Sequence, residues 1–139
     1  MFHWLEARAF AHATEDEERV VAALRTLLPE GEVRREKLEG HFGNPLLMLA
    51  VRAERAEGIR AVWRRIVDAL GRDAILGGLE ERVDEDGLYH LRVDKQQASL
   101  GTIAPPSDGD VIDVRAKVAA YPKKREIALR VLREFVEGL

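Results

Sequence analysis

Two polar segments of the chain carry side chains suited to contacting a phosphate or a nucleobase. In the segment 40–45, GHFGNP, glycines let a ligand approach the backbone amides, while His41 and Asn44 add polar side chains. The segment 92–98, RVDKQQA, is dense in hydrogen-bonding groups, and its Lys95, Gln96 and Gln97 are suited to contacts with phosphates and base edges. Each segment also has a structural interpretation, the first as a tight turn and the second as a solvated strand end.

Positive charge is concentrated between residues 95 and 125, where lysines and arginines outnumber aspartates although the whole chain has a net charge of −3. We expect Arg115 and Lys117 to project from the solvent side of a strand. Lys123, Lys124 and Arg125 lie near the start of a helix, whose dipole favours an anion. These five side chains are predicted to converge on a phosphate-binding patch, and the alternative is a solvated charged face.

The sequence contains no recognisable catalytic or metal-binding pattern. Neither serine lies in a nucleophile elbow, and there is no glycine loop of the kind that binds nucleotide phosphates. The four histidines lack metal-ligand spacing, although His3 and His90 would meet if their strands paired. We therefore expect a non-catalytic protein that needs no cofactor and no metal.

Length and composition indicate one domain that spans residues 1–139. Because the net charge is −3, a nucleic-acid site has to be a local patch rather than the whole surface. A second, weaker group of arginines lies within residues 52–65 and is partly offset by glutamates. The sequence shows no cysteine, no secretory signal pattern and no apolar run long enough to cross a membrane, so we expect a cytoplasmic protein without a membrane partner.

The first half of the chain predicts a strand, a helix, a hairpin and a second helix. An extended stretch at 3–12 precedes a capping box from Thr14 to Glu17, and apolar residues then follow at helical spacing to residue 28. Strands at 32–39 and 45–53 flank the glycine-rich turn and form the hairpin. Residues 59–70 form an amphipathic helix that ends at Gly71.

The second half of the chain predicts two more strands and a last helix. A short helical turn at 75–79 precedes a strand at 88–94, and a short helical piece with a loop fills 95–109. Alternation at 111–118 predicts a half-buried strand, and a helical period runs from Ile127 to Leu139. Trp63 and Phe135 are expected in the core. The order β-α-β-β-α-β-β-α indicates an α+β domain, mainly an antiparallel sheet with helices packed on one face.

Four segments together resemble an archaeal RNA-binding family described as a predicted exosome subunit. They are residues 3–6 (HWLE), 14–17 (TEDE), 39–45 (EGHFGNP) and 91–98 (LRVDKQQA), and the similarity runs from about residue 3 to 120. The resemblance implies a fold similar to that of a ribosomal protein that holds the small RNA of the large subunit, with no enzymatic activity. It implies a binding role for His41, Asn44, Arg92, Lys95 and Gln96, whereas the cluster 123–125 is suggested by charge alone.

The resulting hypothesis is a non-catalytic RNA-binding accessory protein. It would contact structured RNA, with ribosomal RNA among the candidates, through phosphates and shape. Because the predicted strands hold few exposed aromatic residues, base stacking on the sheet is not expected. A link to an RNA-processing complex such as the exosome follows from the resemblance, and uncovered sheet edges favour a homodimer. The alternative is a protein-interaction adaptor that never touches RNA.

Overall fold

The computed structural model describes residues 1–40 and 43–139. Five strands form one antiparallel sheet: β1 (Phe2–His12), β2 (Val33–Glu39), β3 (Pro45–Ala53), β4 (Leu88–Asp94) and β5 (Val111–Val118). Their order across the sheet is β2-β3-β1-β5-β4, so β1 is the central strand. The predicted α+β class with an antiparallel sheet is confirmed.

Three long helices and three short ones complete the fold. The long helices are α1 (Glu17–Leu27), α2 (Ala56–Leu70) and α6 (Arg125–Glu137). The short ones are α3 (Arg72–Gly77), α4 (Leu79–Arg82) and α5 (Lys95–Ser99). Apart from the short helices, the element order matches the predicted one, and the described residues contain no helix long and apolar enough to cross a membrane.

Strict alternation along β5 separates the two faces of the sheet. Ile112, Val114 and Ala116 are buried beneath the helices, while Asp113 and Arg115 between them point to the other side. The same period of two governs β1, where its buried alternate residues are mostly alanines. Small side chains on the central strand let the helices pack close to the sheet. This apolar face therefore forms the floor of the core.

The core above that floor is built around aromatic side chains from three elements. Trp63 of α2 is 1% exposed, and its ring centroid lies 5.0 Å from that of Tyr89 on β4. Phe135 of α6 is 8% exposed and packs at 6.0 Å from Trp63. The predicted core positions of Trp63 and Phe135 are confirmed.

The opposite face of the sheet, which we term the open face, has no described helix packed on it. Phe10, Leu46 and Met48 lie there, half-buried and outside the core cluster. The cross-strand register sets Arg52, Glu6 and Arg115 side by side on β3, β1 and β5. The open face thus mixes apolar and charged side chains in the middle of the sheet.

Two local expectations are wrong. Helix α1 is capped by Asp16, whose carboxylate accepts from the Glu18 amide at 3.0 Å, so Thr14 is not the capping residue. Segment 75–79 is also more helical than expected, because α3 and α4 together cover most of residues 72–82. His3 and His90 lie on strands that do not pair, since β5 separates β1 from β4.

Candidate nucleic-acid interface

A buried carboxylate organises the centre of the open face. Glu6 of β1 is 3% exposed, although it projects from the side of the sheet that helices leave uncovered. Its oxygens accept from Arg34 at 2.9 Å, from Arg52 at 3.1 Å and from Arg115 at 2.7 Å. The three arginines come from β2, β3 and β5, so one carboxylate connects four strands. We call these four residues the Glu6 cluster.

Glu6 is held in its ionised form. Burial alone raises the pKa of its carboxyl, but the hydrogen bonds from Arg115 and Arg52, together with their charges, outweigh burial and lower that pKa below its ordinary value. One negative charge then faces three positive charges. Because guanidinium groups stay protonated, the Glu6 cluster presents a surplus of positive charge on the open face.

The Trp4 ring also restricts two arginines of the Glu6 cluster, Arg52 and Arg115. The Arg52 guanidinium carbon lies 4.3 Å from the centroid of the Trp4 ring, and that of Arg115 lies 5.7 Å away. These are cation–π distances, and such contacts restrict the rotation of long side chains. Arg52 and Arg115 are therefore positioned before any ligand arrives, which lowers the entropy cost of binding an anion.

A second row of charges crosses the sheet next to the Glu6 cluster. The register aligns Arg34, Ala50, Arg8 and Asp113 on neighbouring strands, with Arg92 opposite Asp113 on β4. Arg92 donates to Asp113 at 3.2 Å. Arg8 has no ion pair with any described residue, and its buried Nε lacks a hydrogen-bond partner. Arg8 is thus a central cation whose charge is free to pair with a phosphate.

The predicted site residues divide between the two sides of the molecule. Arg92, Arg115 and Lys117 all lie on the open face, as expected for the solvent side of their strands. Asn44 is exposed at the end of the β2–β3 hairpin, where its carbonyl accepts from the Gly40 amide at 2.6 Å. His41 lies outside the described residues.

Lys95 has a structural position rather than the solvated one that the sequence suggests. It is 2% exposed, and its ammonium donates to the Phe10 carbonyl at 2.8 Å and to Glu15 at 2.9 Å. It also contacts Asp110 at 2.7 Å. Because three acceptors already surround its three protons, the geometry does not support a phosphate contact by Lys95. Lys95, Glu15 and Asp110 form what we call the Lys95 cluster.

Gln96 and the 123–125 segment also lie away from the Glu6 cluster. The Gln96 amide donates to Asp110 at 2.7 Å. Lys123 and Lys124 are exposed before α6, while Arg125 donates through Nε to the Val83 carbonyl at 3.0 Å. Its second contact is with the Glu80 carbonyl. The predicted convergence of Arg125 with Arg115 and Lys117 is therefore not seen, because Arg125 anchors the start of α6 to the carbonyls of Glu80 in α4 and of Val83 after it.

One group near the Lys95 cluster has the residue types of a metal site. His12, Glu15 and Asp110 place one potential ligand atom each within 4.8 Å of one another. The ammonium of Lys95 already contacts both carboxylates, so it supplies the positive charge that these oxygens attract. Its place between them accounts for the cluster without a metal ion.

The predicted site omitted most residues that form the middle of the open face, although one signal was readable. Alanine or leucine stands at each odd position from 5 to 11, with the charged residues Glu6 and Arg8 at even positions between them. This period of two would have assigned the even positions to the open face. The residues omitted altogether are Trp4, Glu6, Arg8 and Arg34, while Arg52 belongs to the weaker group of arginines within residues 52–65.

Comparison with known proteins assigns this chain to a family. The model of a family described as "RNA binding" matches residues 4–118. The chain therefore belongs to that RNA-binding family.

Individual relatives are similar to this chain over nearly its whole length. The RNA-binding protein PAB1135 of Pyrococcus abyssi is 38% identical, with 98% of this chain and 94% of the relative covered. The crystal structure of AF2318 from Archaeoglobus fulgidus matches with a TM-score of 0.86 at 39% identity, covering 97% of this chain and 99% of that one. Mth689 from Methanothermobacter thermautotrophicus has a TM-score of 0.84 at 37% identity and 98% coverage of both chains. The latter two are described as DUF54 proteins.

Proposed function

We propose that this chain is a non-catalytic RNA-binding protein that contacts RNA phosphates through the arginines of its open face. The observation that carries the proposal is the Glu6 cluster, in which one buried carboxylate holds three arginines in fixed positions at the surface. Membership of the RNA-binding family and the name of the Pyrococcus abyssi relative support it. Prearranged guanidinium groups are suited to phosphate oxygens, which they contact in a bidentate manner.

The arrangement favours structured RNA, with ribosomal RNA among the candidates. Trp4 lies beside the Glu6 cluster, with the Arg52 guanidinium carbon 4.3 Å from the centroid of its ring. The aromatic surface therefore orders an arginine instead of offering a platform for a base. Recognition would then depend on phosphate positions and RNA shape, as it does for double-stranded RNA. We include Arg92 and Lys117 as outer contacts of the same surface, while Lys123 and Lys124 would add long-range attraction of phosphate from the start of α6.

The wider setting is proposed from the resemblance to the archaeal family. We propose a cytoplasmic accessory role in RNA processing, with the exosome as the candidate complex. Strand β2 is an edge of the sheet and its residues are almost all exposed, which leaves backbone groups available for a homodimer. The competing function is that of an adaptor that binds only protein, for which the same exposed edge would serve.

Filter binding with transfer and ribosomal RNAs at low and moderate salt tests the proposal. We expect Arg8→Gln to weaken every RNA and to lower the salt slope of binding by about one unit, because one phosphate contact is lost. Arg133→Gln is the matched control, since Arg133 is exposed on α6 and lies outside every candidate site. Absence of binding by the parent protein at low salt would support the adaptor instead.

A further inference from the structure

A cleft opens beside the Glu6 cluster, between the loop after α1 and the first turns of α2. Its volume is about 660 Å³, within the range of pockets that hold small ligands. Leu28 and Val62 line it and are each 2% exposed, so the floor is apolar. Gly31 and Gly58, which also line the cleft, add no side chains to its walls. A flat apolar group could therefore enter.

Arginines and glutamates surround this apolar floor. Arg52, Arg55 and Arg65 line the cleft, as do three glutamates: Glu30, Glu54 and Glu57. Arg65 is committed to the Leu27 carbonyl at 3.1 Å, whereas Arg55 is exposed and has no ion pair with a described residue. Guanidinium groups bind phosphate, and carboxylates accept hydrogen bonds from the amino groups of bases. Together these groups match the parts of a nucleotide.

The cleft is continuous with the open face through Arg52. Arg52 lines the cleft, and its side chain donates to Glu6 at 3.1 Å on the open face. We infer that the cleft receives one unpaired nucleotide, such as a bulged residue, from an RNA whose paired stem lies on the open face. The base would lie on the apolar floor, and Arg55 would pair with the adjacent phosphate. This inference depends on the proposed RNA-binding function and specifies which RNA that function prefers.

Binding of two RNA hairpins, identical except for a single-nucleotide bulge, tests the inference. We expect the parent protein to bind the bulged hairpin roughly tenfold more tightly, because one base is buried on the apolar floor and one phosphate contact is gained. Gly58→Leu should abolish that preference and leave the affinity for the unbulged hairpin unchanged. A Cβ at Gly58 approaches only the Ala53 Cβ, at 3.9 Å, so the larger side chain fits into the cleft. Replacing glycine within a helix also favours the helix.

Ala69→Leu is the matched control, because Ala69 is exposed on the same helix and does not line the cleft. Methyl NMR of Val62 adds a direct readout, with shifts expected from the bulged hairpin only. Equal affinity of the parent protein for both hairpins, or a preference that survives Gly58→Leu, would overturn the cleft assignment while RNA binding itself stands. Loss of binding to both hairpins in Gly58→Leu would also overturn it. If neither hairpin binds the parent protein, the proposed function fails together with it.

Discussion

The Glu6 cluster and the Lys95 cluster use the same kinds of side chain with opposite charge balance. In the first, a buried anion holds three cations at the surface. In the second, a buried cation holds two carboxylates. The net positive charge of the Glu6 cluster would attract phosphate, whereas the net negative charge of the Lys95 cluster would repel it. The sign of the buried ion therefore distinguishes the surface that can bind RNA from the one that stabilises the fold.

The two clusters also differ in what they connect. Through Glu6, four strands of the sheet share one carboxylate on the open face. Lys95, at the start of α5, contacts the end of β1, the segment before α1 and the residue before β5. Loss of the Lys95 ammonium would leave two carboxylates close together without a counter-charge. The following predictions test this division of roles.

Lys95→Met should give the largest loss of stability. Removing one partner of a buried ion pair costs on the order of 3 to 5 kcal/mol, because the remaining charges stay uncompensated. Urea unfolding measures the change, and Lys124→Met, at an exposed lysine, is the control. Where the variant remains folded, its RNA affinity should match that of the parent protein. A stable variant with impaired RNA binding would reverse the roles that we assign to the two clusters.

Glu6→Gln should reduce stability by a smaller amount, roughly 1 to 3 kcal/mol at neutral pH, since the side-chain shape is kept while the charge is lost and one of the two accepting oxygens becomes a donating amide that faces an arginine. Exposure of Arg34, whose side chain is 60% accessible, further moderates the loss. RNA affinity should fall with it, because the three arginines lose the anion that holds them in position. Filter binding and urea unfolding of the same preparation measure the two effects. Unchanged or tighter RNA binding would show that the net charge of the arginines, and not their positioning by Glu6, determines the affinity.

Acidification should reduce the difference in stability between Glu6→Gln and the parent protein. The pKa of Glu6 is lower in the folded state, so its ionised form stabilises the fold above the unfolded pKa, ordinarily 4.5. That contribution disappears as the pH falls through the lower, folded pKa. The stability gap between the two proteins should therefore close below pH 4.5, as followed by urea unfolding across pH. A constant gap would mean that the Glu6 charge contributes nothing.

Sequence patterns predicted the elements better than the contacts between them. Alternation along β5 identified that strand and placed Arg115 and Lys117 on its solvent side. The contact of Glu6 with Arg115 spans 109 residues, and that with Arg52 spans 46. Both depend on β1 lying between β3 and β5, and no local pattern specifies that strand order. The Glu6 cluster could therefore not be assembled from the sequence alone.

Lys95 shows the opposite failure, in which local polarity gave the wrong environment. The run RVDKQQA resembles a solvated strand end, because lysine and glutamine are usually exposed. Its burial arises from the turn into α5, which directs the ammonium to the Phe10 carbonyl on β1. Two of its acceptors, Phe10 and Glu15, lie 85 and 80 residues from Lys95 in the sequence, so no local pattern could show them. A polar run therefore does not show whether a lysine is a ligand contact or an internal ion pair.

The smallest effect is expected from Lys123→Ala combined with Lys124→Ala. Both lysines are exposed and lie beside α6, which packs on the helical side of the sheet, so they contribute mainly through long-range attraction of phosphate. Arg125 is left in place because it anchors α6 through the Val83 carbonyl. We expect all RNAs to weaken alike and by less than in Arg8→Gln, with unchanged urea unfolding. Filter binding across salt concentrations measures this. A loss that equals or exceeds that of Arg8→Gln would move the centre of the RNA surface from the open face to the start of α6.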